Sequence, residues 1–328
     1  MTNRRAFLAG AAVLLSAPLA AQDKKEAVRE YVIGVLDTAA EPANLANMEQ
    51  LRKGLKDLGY AEGKNLRIEY RSAEARIERY PALAAELAKM KVDLIVANGT
   101  PATLAAKNVP GMIPVVTATA LDPVENGLVA SLDRPGGNVT GMATLTAEVE
   151  KKRLELLTAL APGRKRIAVV VNMGNPGLAS TWTVIETAAK SLNLEPQLVD
   201  VRRPDRLPRA LEAAMAKQAQ ALVVRTGALP EAERRTLVEF AAQHRLPAIY
   251  AQRLYVDAGG LASYGISTPD LYYRSATFVD KILKGAKPGE LAMERPSKYE
   301  LVINRKTLRA LDLVIPPDLL LRSNEIVG

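Results

Sequence analysis

From Tyr31 onward, short apolar runs and amphipathic stretches alternate with few interruptions. YVIGVLD (31–37) is apolar on both faces, the pattern of a strand in a parallel sheet covered by helices on either side. Apolar residues then recur at helical spacing through Leu45, Met48, Leu51, Leu55 and Leu58, and Gly59 stands where a helix would stop. LRIEYR (66–71) alternates like a second strand, and 78–90 predicts a helix with Leu83, Leu87 and Met90 on one side. Asp93 to Ala97 and Pro114 to Ala120 are two further β-branched runs, each ending in turn residues. Strands and helices in this order predict right-handed crossovers and a Rossmann-like layer.

At Asp133 to Asn138 (DRPGGN) the pattern dissolves into turn residues, a candidate linker. After a short run, Val139 to Leu145, and a helix from Ala147 to Leu160, the alternation resumes. Strands are predicted at Arg166–Asn172, Glu195–Val201, Ala221–Thr226 and Pro247–Ala251, with helices at Leu178–Leu192, Leu207–Lys217 and Glu231–His244. This is a second copy of one architecture, without matching residues. The remaining 65 or so residues have too few apolar positions for a core of their own, about 100 residues or more being usual for a domain. They hold strands at Leu261–Tyr264 and Tyr299–Asn304, and helices at Leu271–Leu283 and Thr307–Leu313, the last stopped by Pro316-Pro317. The expected fold is α/β: two Rossmann-like lobes with parallel sheets joined by a three-segment hinge. Lobe 1 comprises 30–140 plus 262–290 and lobe 2 comprises 141–261 plus 291–322. The chain crosses near Gly141, Gly259 and Glu294, and such a hinge makes a closing cleft.

Composition narrows the functional classes. The chain carries 44 Lys and Arg against 36 Asp and Glu, interspersed and without a basic cluster, which points away from nucleic acid. Residues 1–22 have the features of an export signal: a positive start at Arg4-Arg5, an apolar segment from Ala6 to Leu15, and a small-residue exit at Ala17 to Ala21. Asn3 to Leu8 favours the twin-arginine type over ordinary secretion. Without Arg4 and Arg5 the net charge of +8 falls to +6. There is no cysteine, so an oxidising compartment would supply no disulfides and packing alone must hold the lobes. One histidine, His244, at a helix end, cannot build a zinc site or a histidine triad; no P-loop or GxGxxG follows a strand, and neither catalysis nor a cofactor is expected.

Chemistry is expected at the carboxyl ends of the strands, where polar side chains and helix starts face the cleft. In the first lobe these are Asp37 and Thr38, Gly99 and Thr100, and Thr119 and Asp122. Thr100 precedes Pro101 and can cap a helix, whose start can also hold an anion. Asp37 fits a ligand ammonium or a solvated loop acid, and Asp122, before Pro123, fits a ligand contact or a turn cap. In the second lobe the candidates are Asn172 and Asn175, Arg225 and Thr226, and Tyr255. Arg225 marks an anionic ligand or a rim salt bridge. Tyr255 and Tyr264 supply an aromatic wall or pack between the lobes.

Several segments carry a resemblance: DLIVANGTPA (93–102), Asp122-Pro123-Val124, RPGGNVTG (134–141), KRLELL (152–157), RLPAIY (245–250) and GGLASYG (259–265). Together they resemble the solute-binding proteins of ABC transporters over nearly all the chain after the leader. The resemblance implies the type I periplasmic binding fold and a small solute between the lobes; characterised relatives include binders of aromatic amino acids. It also implies polar residues after the first strand of the second lobe, here Asn172 and Asn175. The expected activity is that of an extracytoplasmic, periplasmic component of an ABC importer. It would act as a monomer without a cofactor, capturing an amino acid or small organic acid and delivering it to an inner-membrane permease. The alternative is a periplasmic sensor presenting its bound state to a membrane receptor.

Overall fold

The computed structural model describes residues 29–144, 146–225 and 231–328. The expected export signal, 1–22, lies outside them. The first lobe is built from β1 (Tyr31–Asp37), α1 (Leu45–Asp57), β2 (Leu66–Ser72), α2 (Tyr80–Lys89), β3 (Leu94–Ala97), α3 (Thr100–Lys107), β4 (Val115–Leu121) and β5 (Val139–Thr144). Its five strands are all parallel, in the order β2-β1-β3-β4-β5. The fully apolar burial of β3 and β4's first residues follows from layers on both faces: one with Leu83, Leu87 and Ala106, the other with Leu51, Leu55 and Phe278.

The second lobe contains α4 (Thr146–Leu160), β6 (Arg166–Val171), α5 (Pro176–Ser191), β7 (Glu195–Asp200), α6 (Leu207–Ala216), β8 (Ala221–Arg225), α7 (Glu231–Gln243), β9 (Ala248–Tyr250), α8 (Leu254–Asp257) and β10 (Ala262–Ile266). The chain then returns to the first lobe as α9 (Thr268–Leu283), which lies along α1 and ties down through Tyr60, whose hydroxyl donates to Asp280 at 2.9 Å. It ends in the second lobe with β11 (Tyr299–Asn304), α10 (Arg305–Ala310), α11 (Pro317–Arg322) and β12 (Glu325–Val327). The seven-stranded sheet runs β12-β11-β10-β9-β8-β6-β7, parallel except for the β10–β11 pair.

The lobe boundaries differ from those expected. DRPGGN (133–138) is a loop inside the first lobe rather than a linker, because β5 beyond it completes the first sheet and the chain leaves only after Thr144. β10, assigned by sequence to the first lobe, pairs with β9 and β11 in the second; the second crossing follows Ile266. Residues 291–294 stay with the first lobe, where Glu294 exchanges backbone hydrogen bonds with Gly141 and Ala143, so the third crossing lies between Glu294 and Tyr299. Pro316-Pro317 does not end the helical structure: Pro317 opens α11, a first-turn position in which its missing N–H costs nothing.

Gly141, in the middle of β5, has φ +124° and lies so close to β4 that an added Cβ would stand 2.8 Å from the Thr117 nitrogen and still closer to its carbonyl oxygen. Both the backbone conformation and the space exclude a side chain. Gly141→Ala is expected to destabilise the protein by about 3 kcal/mol, from strain and overpacking together, measured as a lower urea midpoint with unchanged slope.

Candidate functional site

The parallel strands bring the carboxyl ends of β1, β3 and β4 to one edge of the first lobe, and one hydrogen-bonded chain fixes them. Asp37, at the end of β1, is fully buried and accepts from five donors. The Thr38 and Ala39 amides and the Asn98 amide group reach Oδ1 at 2.6, 3.2 and 3.1 Å; Asn44 reaches Oδ2 at 2.9 Å, where the Tyr272 hydroxyl from α9 also donates. Asn98 in turn accepts from the Thr119 hydroxyl at 2.5 Å, and the Thr38 hydroxyl pairs with that of Tyr80 at 2.8 Å. Burial pushes the Asp37 carboxyl above its usual range, while these donors pull it back. Asp37 is therefore the anchor of the edge, with its oxygens already occupied, and neither a solvated loop acid nor an open receptor for a ligand ammonium.

Thr100 also differs from its expected role. The residue capping α3 is Gly99, at φ +86° and ψ 163°, and no side chain caps the helix. Thr100 is instead the first helical residue, buried, with its hydroxyl accepting from the Leu121 amide at 3.3 Å. The first amides of α3 are thus left without a side-chain cap beside the β4 end. Asp122 takes the cap reading: with φ +39° it holds the Thr146 amide at 3.0 Å and hydroxyl at 2.5 Å, joining the end of β4 to the start of α4 across the first crossing.

In the second lobe, Asn172 follows β6 and accepts from the Gly174 amide at 2.9 Å; Asn175 caps α5 by accepting from the Gly177 amide at 3.0 Å. Arg225, the last residue of β8, is neither solvated nor on a rim. It is 9% exposed, with Nε 2.7 Å from Glu150 Oε1. Glu150 also pairs with Arg153, which donates to the Tyr264 carbonyl through Nε at 3.1 Å and Nη2 at 2.8 Å. Glu150 and Arg153 are each 1% exposed. Burial lowers the Arg225 pKa, Glu150 opposes this and Arg153 adds to it; a guanidinium nonetheless remains charged. Tyr255 does not form a cleft wall: it is buried in the core beneath, stacked on Tyr250 at 4.8 Å with α6 and α7 residues around it. Tyr264 stacks on Tyr299 at 6.0 Å. Thr226 lies outside the described residues.

The two edges meet. Gly177, in the first turn of α5, lies against the first turn of α3: an added Cβ would be 2.9 Å from Thr100 Cβ, closer to its hydroxyl, and 3.3 Å from Leu121 Cβ. Ile77 of the first lobe reaches the Gly174 position from the side. The lobes are closed on one another with helix starts from both at the seam. A cavity of about 370 Å³ lined by Arg29, Tyr31, Asp93 and Lys287 lies at the opposite, amino-terminal edge of the first sheet and has no part in this site.

Sequence reasoning named the strand-end residues but not the groups that hold them: Asn98, Tyr272, Gly177, Glu150 and Arg153. One signal was available. Glu150 and Arg153 are one helical turn apart, flanked by Val149, Leu154 and Leu157, and so belong to the buried face of α4.

The sequence profile of the family described as ABC transporter substrate binding protein matches residues 32–327. A tyrosine-binding protein of Clostridioides difficile is 29% identical over 290 residues, 88% of this chain and 83% of that protein. Among solved structures, an ABC domain from Streptococcus pneumonia in complex with L-Trp superimposes with a TM-score of 0.84 at 24% identity, over 91% of this chain and all of that one. A ligand-free, open substrate-binding protein with adhesive properties from Clostridium difficile gives 0.66 at 26% identity, over 91% and 99%. The fold is the type I periplasmic binding fold, shared with more distant leucine-binding and sugar-binding proteins.

The Asp37 anchor makes a direct expectation. Asp37→Ala leaves the Asn98 and Asn44 amide groups and the Tyr272 hydroxyl without their acceptor in a buried site. A loss of about 2–4 kcal/mol is expected in urea unfolding, with Tyr272→Phe costing less, about 1–2 kcal/mol, because it removes one donor and leaves four.

Proposed function

The chain belongs to the ABC transporter substrate binding protein family, and we propose on that basis that it is the extracytoplasmic capture component of an importer, holding a small amino or organic acid between its lobes and presenting the closed form to a permease. The observation that carries this reading is the seam at Thr100 and Gly177, where two helix starts meet across a hinge of three crossings. Helix starts from both sides favour an anionic group, and a ligand touching both lobes stabilises the closed arrangement over the open one. The chain superimposes with a TM-score of 0.84 on the L-Trp complex and 0.66 on the open, ligand-free relative, in accord with that cycle. The relatives' tyrosine and tryptophan make carboxylate-bearing aromatic compounds the first solutes to try. Export by a twin-arginine signal and action as a monomer belong to the same proposal. No helix among the described residues is long and apolar enough to cross a membrane.

A thermal-shift series of purified protein with amino acids, organic acids and small aromatics tests the reading. A true ligand at 100 times its dissociation constant adds about 2.7 kcal/mol to stability; no shift with any member of the series overturns the proposal. Gly177→Leu places a side chain in the seam while leaving α5 free to form. It is expected to weaken the best ligand at least about tenfold by penalising closure, with a larger radius of gyration in solution scattering and an unchanged circular dichroism spectrum.

A further inference from the structure

The first crossing between the lobes is gripped from outside itself. Asp122, just after β4, donates its amide to the Thr144 carbonyl at 2.9 Å, and its carboxylate accepts the Thr146 amide at 3.0 Å and hydroxyl at 2.5 Å. Thr144 ends β5 and Thr146 opens α4, with Leu145 alone between them in the chain. One first-lobe residue thus holds the backbone on both sides of the crossing. Leu145 has no side-chain acceptor, so a cap for α4 has to come from elsewhere, and Asp122 supplies it from 24 residues away. Asp122 is itself a fixed post. Its carbonyl accepts from the Asn126 amide at 3.0 Å and from the Asn126 side chain at 3.1 Å, and that side chain also donates to the Leu121 carbonyl at 2.9 Å. Its φ of +39° is a left-handed conformation, which Asp and Asn adopt more readily than other residues with a Cβ.

When one lobe rotates on the other, each atom moves in proportion to its distance from the axis. Thr100 and Gly177 stand at the seam and part when the cleft opens. Asp122, Thr144 and Thr146 stand at the crossing itself, where a rotation about a nearby axis displaces them little and their bonds persist. Resting on the proposed binding role, we infer that Asp122 is the hinge-positioning residue of the cleft. It keeps the first crossing rigid in the open and the closed form alike, so the lobes swing about one axis beside it instead of splaying. A confined open ensemble leaves less conformational entropy to be lost when a solute closes the cleft.

The chain contains no cysteine, so Glu78→Cys with Arg203→Cys places one spin label on each lobe without competing sites. Both positions are exposed, and their neighbours Ile77 and Arg202 reach 3.9 and 3.8 Å from a Cβ placed on Gly174, which sets the labels on opposite sides of the seam. Pulsed electron paramagnetic resonance on the solute-free protein is expected to give narrow populations of inter-label distance, and Asp122→Ala is expected to broaden them at least about twofold. Asp122→Asn keeps both bonds to Thr146 while removing the charge that acts on Arg225, and should retain the narrow spread. Thr146→Val, which loses the hydroxyl bond alone, falls between. For the tightest-binding member of the thermal-shift series, association with Asp122→Ala is expected to slow at least about threefold, because fewer of the open arrangements are competent to close. A cap that merely stabilises α4 would lower the urea midpoint of Asp122→Ala and leave both the spread and the association rate unchanged, overturning the assignment. Equal broadening in Asp122→Asn overturns it too, since charge and not the two bonds would then be responsible. An unchanged spread leaves the capture reading standing, whereas broadening in a protein that binds no solute of the series sinks that reading alone.

Discussion

Parallel strands impose the constraint on which everything else in this protein rests. Because successive strands run the same way, each must return by a crossover, helical in the first lobe except between β4 and β5, and every strand of the first sheet ends at the same edge as its neighbours. That edge is where backbone amides of the next helix are unpaired and where polar side chains can gather without entering the core. The first lobe meets the resulting polar demand internally, through the chain from Tyr272 to Asp37, Asn98 and Thr119. That chain includes a residue from α9, so the returning C-terminal segment is part of the edge itself. In the second lobe the corresponding strand end carries Arg225, whose Nε lies 2.7 Å from the buried carboxylate of Glu150.

The hinge follows from the same geometry. Of the three crossings, the first is stiffened by Asp122 holding the start of α4, and the second by Arg153 holding the Tyr264 carbonyl just before the chain leaves β10. Both residues connect crossing points to the buried cluster behind Arg225: Arg153 shares Glu150 with it, and Asp122 acts on it through space. Charge at the end of β8 and the orientation of the hinge therefore belong to one packed unit.

Much of this was readable from the chain alone, because the β-branched runs of a doubly covered sheet are hard to mistake. YVIGVLD, RIAVVV and ALVVR appear as strands within a residue of their predicted limits. Tertiary destination was less readable. VTGMAT gives a strand pattern, but nothing local says which sheet it joins, and the neighbouring Gly136-Gly137 turn looked like the boundary. The segments α11 and β12 are only six and three residues long and gain their stability from the sheet they complete, so propensity says little of them. At the site, residues at strand ends were visible as polar breaks in apolar runs. Their partners were not, since Tyr272 is 235 residues from Asp37 and such pairings are properties of the fold. Tyr255 illustrates the converse: a tyrosine after a strand resembles a cleft wall, yet its ring stacks on Tyr250 in the core.

The closest approach in the closed seam is a glycine against a threonine hydroxyl, with Leu121 beside it against the second lobe's core, and the smallness of that closest contact has an energetic meaning. Glycine and threonine bury little apolar surface, and at about 25 cal/mol per Å² a contact of that size adds little to the stability of the closed form. Close approach without strong adhesion is what a capture protein needs: a sticky seam would hold the lobes shut without cargo, and a bulky one would hold them apart. The bias towards closure then has to come from a solute that contacts both edges, and its size is limited by the difference in affinity between the closed and open arrangements.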